Sequence, residues 1–316
     1  MNGVEARAWV EKVRGAVHQA VVGRDLAVDQ IATCLLADGH LLLEDLPGLG
    51  KTLLAKSFAQ ALGLSFSRIQ FTADLLPHDI TGGEVFDVKS QEFQFRPGPL
   101  FSHLLLADEI NRAPPKVQSA LLEAMQEFQV TSERGTHALE RPFLVLATQN
   151  PIELEGTYPL PEAQVDRFLM RIAIGYPTSE EEQLILRRRR ERKEDVAAVP
   201  NVLNIDTFRA MQRSVEEVEM DPTIEQYVIQ LVAATRHDPR VEVGASPRGS
   251  LALLKLSRAR ALLEGRDYVV PDDVKSVSLP GLAHRIVVKP EPWIRGVRGA
   301  QVVEAALEKT PVPKVG

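Results

Sequence analysis

Apolar residues at Val4, Ala8, Trp9, Val13, Ala16 and Val17 recur at helical spacing, so the chain opens on an amphipathic helix. "VVGRD" interrupts the pattern, and a second helix is expected over residues 25–37. The periodicity then changes. "HLLLED", "FSRIQF", "HLLLADE", "PFLVLATQN" and "FLMRIAI" are short, almost continuously apolar runs, each expected to form a strand. Between them lie helical stretches: "KTLLAKSFAQALG", closed by Gly63 as a C-terminal cap, and residues 114–128, whose prolines suit a first turn. Such strands alternating with helices predict an α/β fold, a five-stranded parallel sheet covered on both faces. "GEVFDVKSQEFQF" and "FQVTSERGTHALE" break the rhythm. Each reads as strand, polar turn and strand, a β-hairpin inserted into the core.

After Pro177 no further strands are expected, and from about Ile205 the pattern is helical to the end. The boundary is placed in the charged, proline-bounded segment 178–200. This gives an α/β core with its N-terminal helices over residues 1–190 and an all-helical domain over 191–316. "RRRRERKED", beginning at Arg187, is expected to be the solvated face of a helix starting near Thr178. Glu180, Glu181 and Glu182 would occupy its first turn and the cations its later turns, as the helix dipole favours.

Composition narrows the function classes. The 316 residues suffice for two domains, and 44% hydrophobic with 25% charged residues is an ordinary globular balance. Only 5% are aromatic, which argues against rows of stacking side chains for single-stranded nucleic acid. A net charge of −6 argues against a generally DNA-coating surface, though not against a local basic groove. Cys34 is the only cysteine, so no internal disulfide forms and a reducing, cytoplasmic setting is expected. The N-terminus lacks the apolar core of a signal peptide, and no apolar run approaches membrane-spanning length. The seven histidines show no metal-ligand spacing.

The chemistry centres on "LLLEDLPGLGKT". A phosphate-binding loop reads G-x-x-x-x-G-K-[ST], yet position 45, where its first glycine belongs, is aspartate. The physics needs less than the pattern. Gly48 and Gly50 let backbone N–H groups turn toward a phosphate, the helix start adds its dipole, Lys51 adds a charge, and the Thr52 hydroxyl suits Mg²⁺. Residues 47–53 (Pro47, Gly48, Leu49, Gly50, Lys51, Thr52, Leu53) are therefore the candidate nucleotide cradle; the plainer reading is a glycine-rich turn. Asp45, upstream of that segment, is expected at the strand exit with its carboxylate turned from the phosphates. On that view, glycine in its place leaves ATP binding largely intact.

At the end of "LLLADE", Asp108 is placed to hold the metal through its waters and Glu109 to orient or deprotonate the attacking water. Adjacent acids at a strand end are also common structurally; the preceding loop is what gives them meaning. "VLATQNP" ends another strand in Thr148, Gln149 and Asn150. Threonine or asparagine there suits a lytic water, and Asn-Pro alone suits a turn.

Together these segments resemble the AAA+ ATPases, and among them the MoxR family. The likeness runs through "LLLEDLPGLGKTLLAKSFA", "RIQFTADLLPHDITG", "RPGPLFSHLLLADEINRAPPKVQSALLEAMQE", "PFLVLATQNPIELEGTYPLPEAQVDRFLM" and "SPRGSLALLKLSRARALL", nearly the whole chain. The resemblance implies a P-loop core with two hairpin insertions and a helical lid. It makes Lys51 and Thr52 the Walker A pair, Asp108 and Glu109 the Walker B pair, and Asn150 sensor 1. Val22 and Gly23 would border the adenine, and Arg248 would be sensor 2. Arg167 would be an arginine finger for the neighbouring subunit, with Arg112 and Arg171 as rivals and an ion pair to Asp166 or Glu162 as its plainer role.

ATP and Mg²⁺ are the implied cofactors, and a homo-oligomeric ring, a hexamer, the implied assembly. The resemblance further implies a chaperone-like remodeller of a protein client, paired with a von Willebrand factor A-domain protein. Rival readings are a nucleic-acid motor, a chelatase-type metal-insertion motor, and a nucleotide-gated scaffold that scarcely hydrolyses ATP.

Overall fold

Successive leucines of the central strands enter different cores, which is why those strands read as unbroken apolar runs. In β1 (Leu41–Glu44), Leu41 and Leu43 join one hydrophobic cluster and Leu42 the other. β5 (Leu104–Asp108) and β8 (Leu144–Gln149) divide the same way: Leu104, Leu106, Leu144 and Leu146 go to the first cluster, and Leu105, Ala107, Val145 and Ala147 to the second. Alternate side chains point to opposite faces, and both faces are covered. With β2 (Phe66–Gln70) and β9 (Met170–Ile172) these strands form one five-stranded sheet, order β2-β5-β8-β1-β9, every pairing parallel. The computed structural model describes residues 3–132, 135–151, 156–195 and 197–313.

The first cluster fills the space between the sheet and α1 (Gly3–Ala20), α2 (Asp25–Leu36) and α3 (Lys51–Leu62). α1 keeps the expected spacing, and Val13, Ala16 and Val17 of the expected set are buried with Trp9 packed against them, but Val4 and Ala8 are not. Ala6, Val10, Val13, Ala16 and Val17 are buried, whereas Val4 is 74% exposed and Ala8 faces solvent. Val4 and Ala8 each lie two residues from Ala6, hence on the opposite side of the helix. The second cluster lies under α4 (Pro77–Thr81) and α5 (Pro115–Glu127).

Both inserted hairpins form. β3 (Gly82–Asp87) pairs with β4 (Glu92–Pro97), and β6 (Gln129–Ser132) with β7 (Gly135–Ala138), both antiparallel. Residues 133 and 134, between β6 and β7 in sequence, where a polar turn was expected, lie outside the described residues. A short α6 (Glu162–Val165) precedes β9.

Beyond β9 the chain is mainly helical: α7 (Ser179–Arg192), α8 (Ile205–Glu216), α9 (Pro222–His237), α10 (Pro247–Leu263), α11 (Pro271–Leu282), α12 (Pro290–Ile294) and α13 (Gly299–Lys309). Thr178, Asn204, Asp221 and Ser246 each accept a backbone N–H at the start of their helix, the side-chain cap that satisfies an otherwise orphaned donor. One expectation is corrected. Strands do not stop at Pro177, because β10 (Val241–Val243) pairs antiparallel with β11 (Val287–Val288). Leu231, Leu253 and Leu256 of this part share the first cluster with the sheet, so the helical part rests directly on the N-terminal helices.

His40, buried before β1, has a fixed tautomer. Its Nε2–H donates to the Met125 carbonyl at 3.0 Å, and Nδ1 accepts the Val145 N–H at 3.1 Å. Burial pushes its pKa down to about 4. The native state thus holds His40 neutral while the unfolded chain binds a proton below about 6.5. Stability present at neutral pH is therefore lost as pH falls through 6.5 toward 4, by about 3 kcal/mol from this residue. His284, also pushed well below its ordinary value by burial, acts in the same sense. Denaturant melts at pH 7 and pH 4.5 are expected to show this drop, and to show a smaller one in His40→Gln.

Candidate active site

β1 delivers the chain to the glycine loop at the carboxyl end of the sheet, between its neighbours β8 and β9. Gly48 and Gly50 both have φ near +82°, the left-handed region that favours glycine. Gly50 caps α3, so the first free N–H groups of that helix open onto the loop. The Lys51 Nζ donates to the Asp45 carbonyl at 2.6 Å. Burial lowers the Lys51 pKa, while Asp45, Asp108 and Glu109 oppose the shift. A cleft of about 660 Å³ lies over the loop, a size suited to a nucleotide.

That cleft is lined by Val22 and by Pro47, Gly48, Leu49, Gly50 and Leu53 of the candidate cradle, whereas Lys51 and Thr52 are not among its lining residues. Gly23 is not part of the lining and sits against the Glu181 side chain. Tyr176 and Pro177, in the segment leaving β9, add an apolar wall that the sequence did not suggest. α7 has no buried residue, as a solvated helix should, yet Arg188, Arg189 and Arg192 also face the cleft. The arginine run is thus only partly a plain solvent face, because three of its side chains share the lining of the cleft with the glycine loop.

Asp108 and Glu109 stand at the end of β5, next to β8. Thr148 joins them: its hydroxyl donates to Asp108 Oδ1 at 2.6 Å and accepts the Glu109 N–H at 2.8 Å. Glu109 itself has φ 58°, a left-handed conformation uncommon outside glycine and often found where backbone strain serves a site. Asn150 follows directly after β8 and is buried.

Two further residues meet the acids from β2. Arg68 donates through Nη2 to Asp108 Oδ2 at 2.7 Å, and Gln70 donates to Glu109 Oε2 at 2.7 Å. Arg112 Nε lies 3.0 Å from the same Glu109 oxygen. The only signal for Arg68 and Gln70 was their polarity two residues apart in "FSRIQF", which puts both on one face of an edge strand.

Arg167 and Arg248 are not at this cleft. They line a separate cavity of about 220 Å³ with His40, Asp166 and Arg285. Neither acid suggested for Arg167 pairs with it; its Nη1 donates to the Leu122 carbonyl at 2.8 Å. Asp166 is taken by the helical part instead, with Arg285 Nε at 2.9 Å and Arg248 Nη1 at 3.6 Å. Arg285 is buried, and burial lowers its pKa to about 10 against the pull of Asp166. Arg171 pairs with Glu44 at 3.2 Å, and Arg112 is engaged with Glu109 as above, so both rivals of Arg167 contact acids of their own chain.

Residues 40–170 match the sequence model of the ATPase family associated with various cellular activities (AAA), and residues 233–306 match that of the AAA lid domain. The glycine loop, acid pair and helical lid therefore define an AAA ATPase. A crystal structure from Cytophaga hutchinsonii, described as a candidate ATPase, superposes with a TM-score of 0.92 at 40% identity, covering 99% of this chain and 97% of that one. Chaperone MoxR1 of Mycobacterium tuberculosis is 41% identical over 97% of this chain and 83% of its own length. The YeaC protein of Bacillus subtilis, called uncharacterized, is 46% identical over 94% of this chain and 92% of its own. The chain belongs to the MoxR family of AAA+ ATPases.

Proposed function

We propose that this chain is the ATP-hydrolysing subunit of a homo-oligomeric ring, a hexamer, that remodels or activates a protein client in the cytoplasm. The observation that carries the reading is the separation of Arg167 and Arg248 from the cleft over the glycine loop. An arginine finger must reach the phosphates, and here Arg167, the finger candidate, and Arg248, the sensor 2 candidate, line a different cavity, which suits service to a neighbouring subunit's nucleotide. Lys51 and the loop amides would bind the phosphates, Thr52 and Asp108 would hold Mg²⁺, and Glu109 with Asn150 would place the attacking water. Mg²⁺, when bound, supplies neutralisation of the phosphate charge. The proposal keeps residues 1–190 as the core and 191–316 as the lid.

Remodelling is supported by the name of Chaperone MoxR1 and by the family resemblance, which also points to a von Willebrand factor A-domain partner. No helix among the described residues is long and apolar enough to cross a membrane. The experiment is analytical ultracentrifugation with and without ATP, followed by pull-down on the Glu109→Gln variant locked with ATP. ATP-dependent ring assembly and enrichment of a protein partner are expected. A monomer at all ATP concentrations, or turnover driven by DNA with steep salt dependence, would overturn the reading in favour of a scaffold or a nucleic-acid motor.

A further inference from the structure

Asp45 stands where the phosphate-loop pattern has glycine, and its contacts point away from the phosphate side. Its Oδ2 accepts the N–H groups of Ile174 and Gly175 at 2.6 and 2.7 Å, and Oδ1 accepts the Leu46 N–H at 2.9 Å. The residue is only 9% exposed, so these are bonds from backbone amides to a largely buried carboxylate, among the stronger kinds. Among the described residues, no atom of segment 47–52 bonds that carboxylate, and Asp45 does not line the cleft.

Ile174 and Gly175 lie in the linker from β9 to α7. The next two residues, Tyr176 and Pro177, line the cleft together with Val22. The polar glycine loop suits the phosphates, which leaves this apolar wall for the planar base. We propose that Asp45 is a positioning residue for the nucleotide base: by clamping Ile174 and Gly175 it holds the Tyr176–Pro177 wall in register with the glycine loop. Without the carboxylate, two amide donors lose their acceptor and the wall is no longer tied to the loop. The expectation that glycine at position 45 is harmless weighs the phosphates alone. The base side reverses it.

The inference rests on the nucleotide reading of the cleft, so the test separates the two parts of the ligand. Affinities for ATP and for inorganic tripolyphosphate, which has no base, are measured by calorimetry on the full chain and on Asp45→Asn and Asp45→Gly. In Asp45→Gly the Kd for ATP is expected to rise about tenfold or more. Asp45→Asn, which keeps one oxygen acceptor, should fall between it and the parent chain. Tripolyphosphate affinity should stay within about twofold in both, because the loop amides and Lys51 remain. The steady-state loss should appear chiefly in KM, which a general loosening of the fold would not produce. Equal weakening of both ligands would overturn the proposal, since Asp45 would then shape the phosphate loop itself. Unchanged ATP affinity in both variants would overturn it too. If the parent chain bound neither ligand, the nucleotide reading of the cleft would fall first, and this inference with it.

Discussion

Glu109→Gln is expected to lower ATP turnover by about 10²–10⁴-fold, the usual contribution of a positioned general base, while ATP binding stays within a few-fold of the parent chain. Glutamine has nearly the shape of glutamate but does not accept a proton from water, so the change reads chemistry rather than packing. The surroundings make the distinction clean. The Glu109 N–H is fixed by the Thr148 hydroxyl, whose own proton goes to Asp108, and neither bond involves the Glu109 side chain. The Glu109 carboxylate instead faces Gln70 and Arg112. Its loss therefore leaves the strand end, Asp108 and the glycine loop in place. Steady-state phosphate release and ATP binding measured on the same preparation decide the matter. Turnover unchanged by the substitution would remove Glu109 from the role of base.

Which parts of this molecule were readable in advance depends on how local the cause is. The sheet strands announce themselves because both faces of each are covered, so Leu41, Leu42 and Leu43 all had to be apolar. The loop and acid pair were readable because each is a handful of residues adjacent in the chain. Arg68 and Gln70 were not, since they reach Asp108 and Glu109 only through the order β2-β5, a pairing of segments about forty residues apart. The β10–β11 ladder was missed for the same reason: the three alternating residues beginning at Val241 are too short a run to announce a strand, and their partners lie beyond two helices. Val4 and Ala8 of α1 lie on its exposed side because alanine and valine occur on both sides of its first turns, and only docking decides which is buried. Arg248 opens α10 as expected. Where its side chain points, however, is set by how the lid packs on the core, with Asp166 waiting there for both Arg248 and Arg285.

That last placement leads to the second large effect. Arg167→Ala is expected to reduce turnover by about 10³-fold or more, in the range an arginine finger contributes, without weakening ATP binding. Among the described residues the side chain donates to the Leu122 carbonyl and forms no ion pair, and the neighbouring Asp166 is already held by Arg285. Loss of activity alone would not say whose nucleotide Arg167 serves. Mixing answers that. An Arg167→Ala subunit keeps its acid pair and lacks the finger, while a Glu109→Gln subunit keeps the finger and lacks the base. In a head-to-tail ring of both, random mixing leaves about a quarter of the interfaces with an intact acid pair facing an intact arginine. Two inactive preparations should therefore recover activity when combined and reassembled with ATP. If Arg167 acted on its own subunit's nucleotide, every site in the mixture would still lack one of the two groups. The mixture would then remain as inactive as its parts.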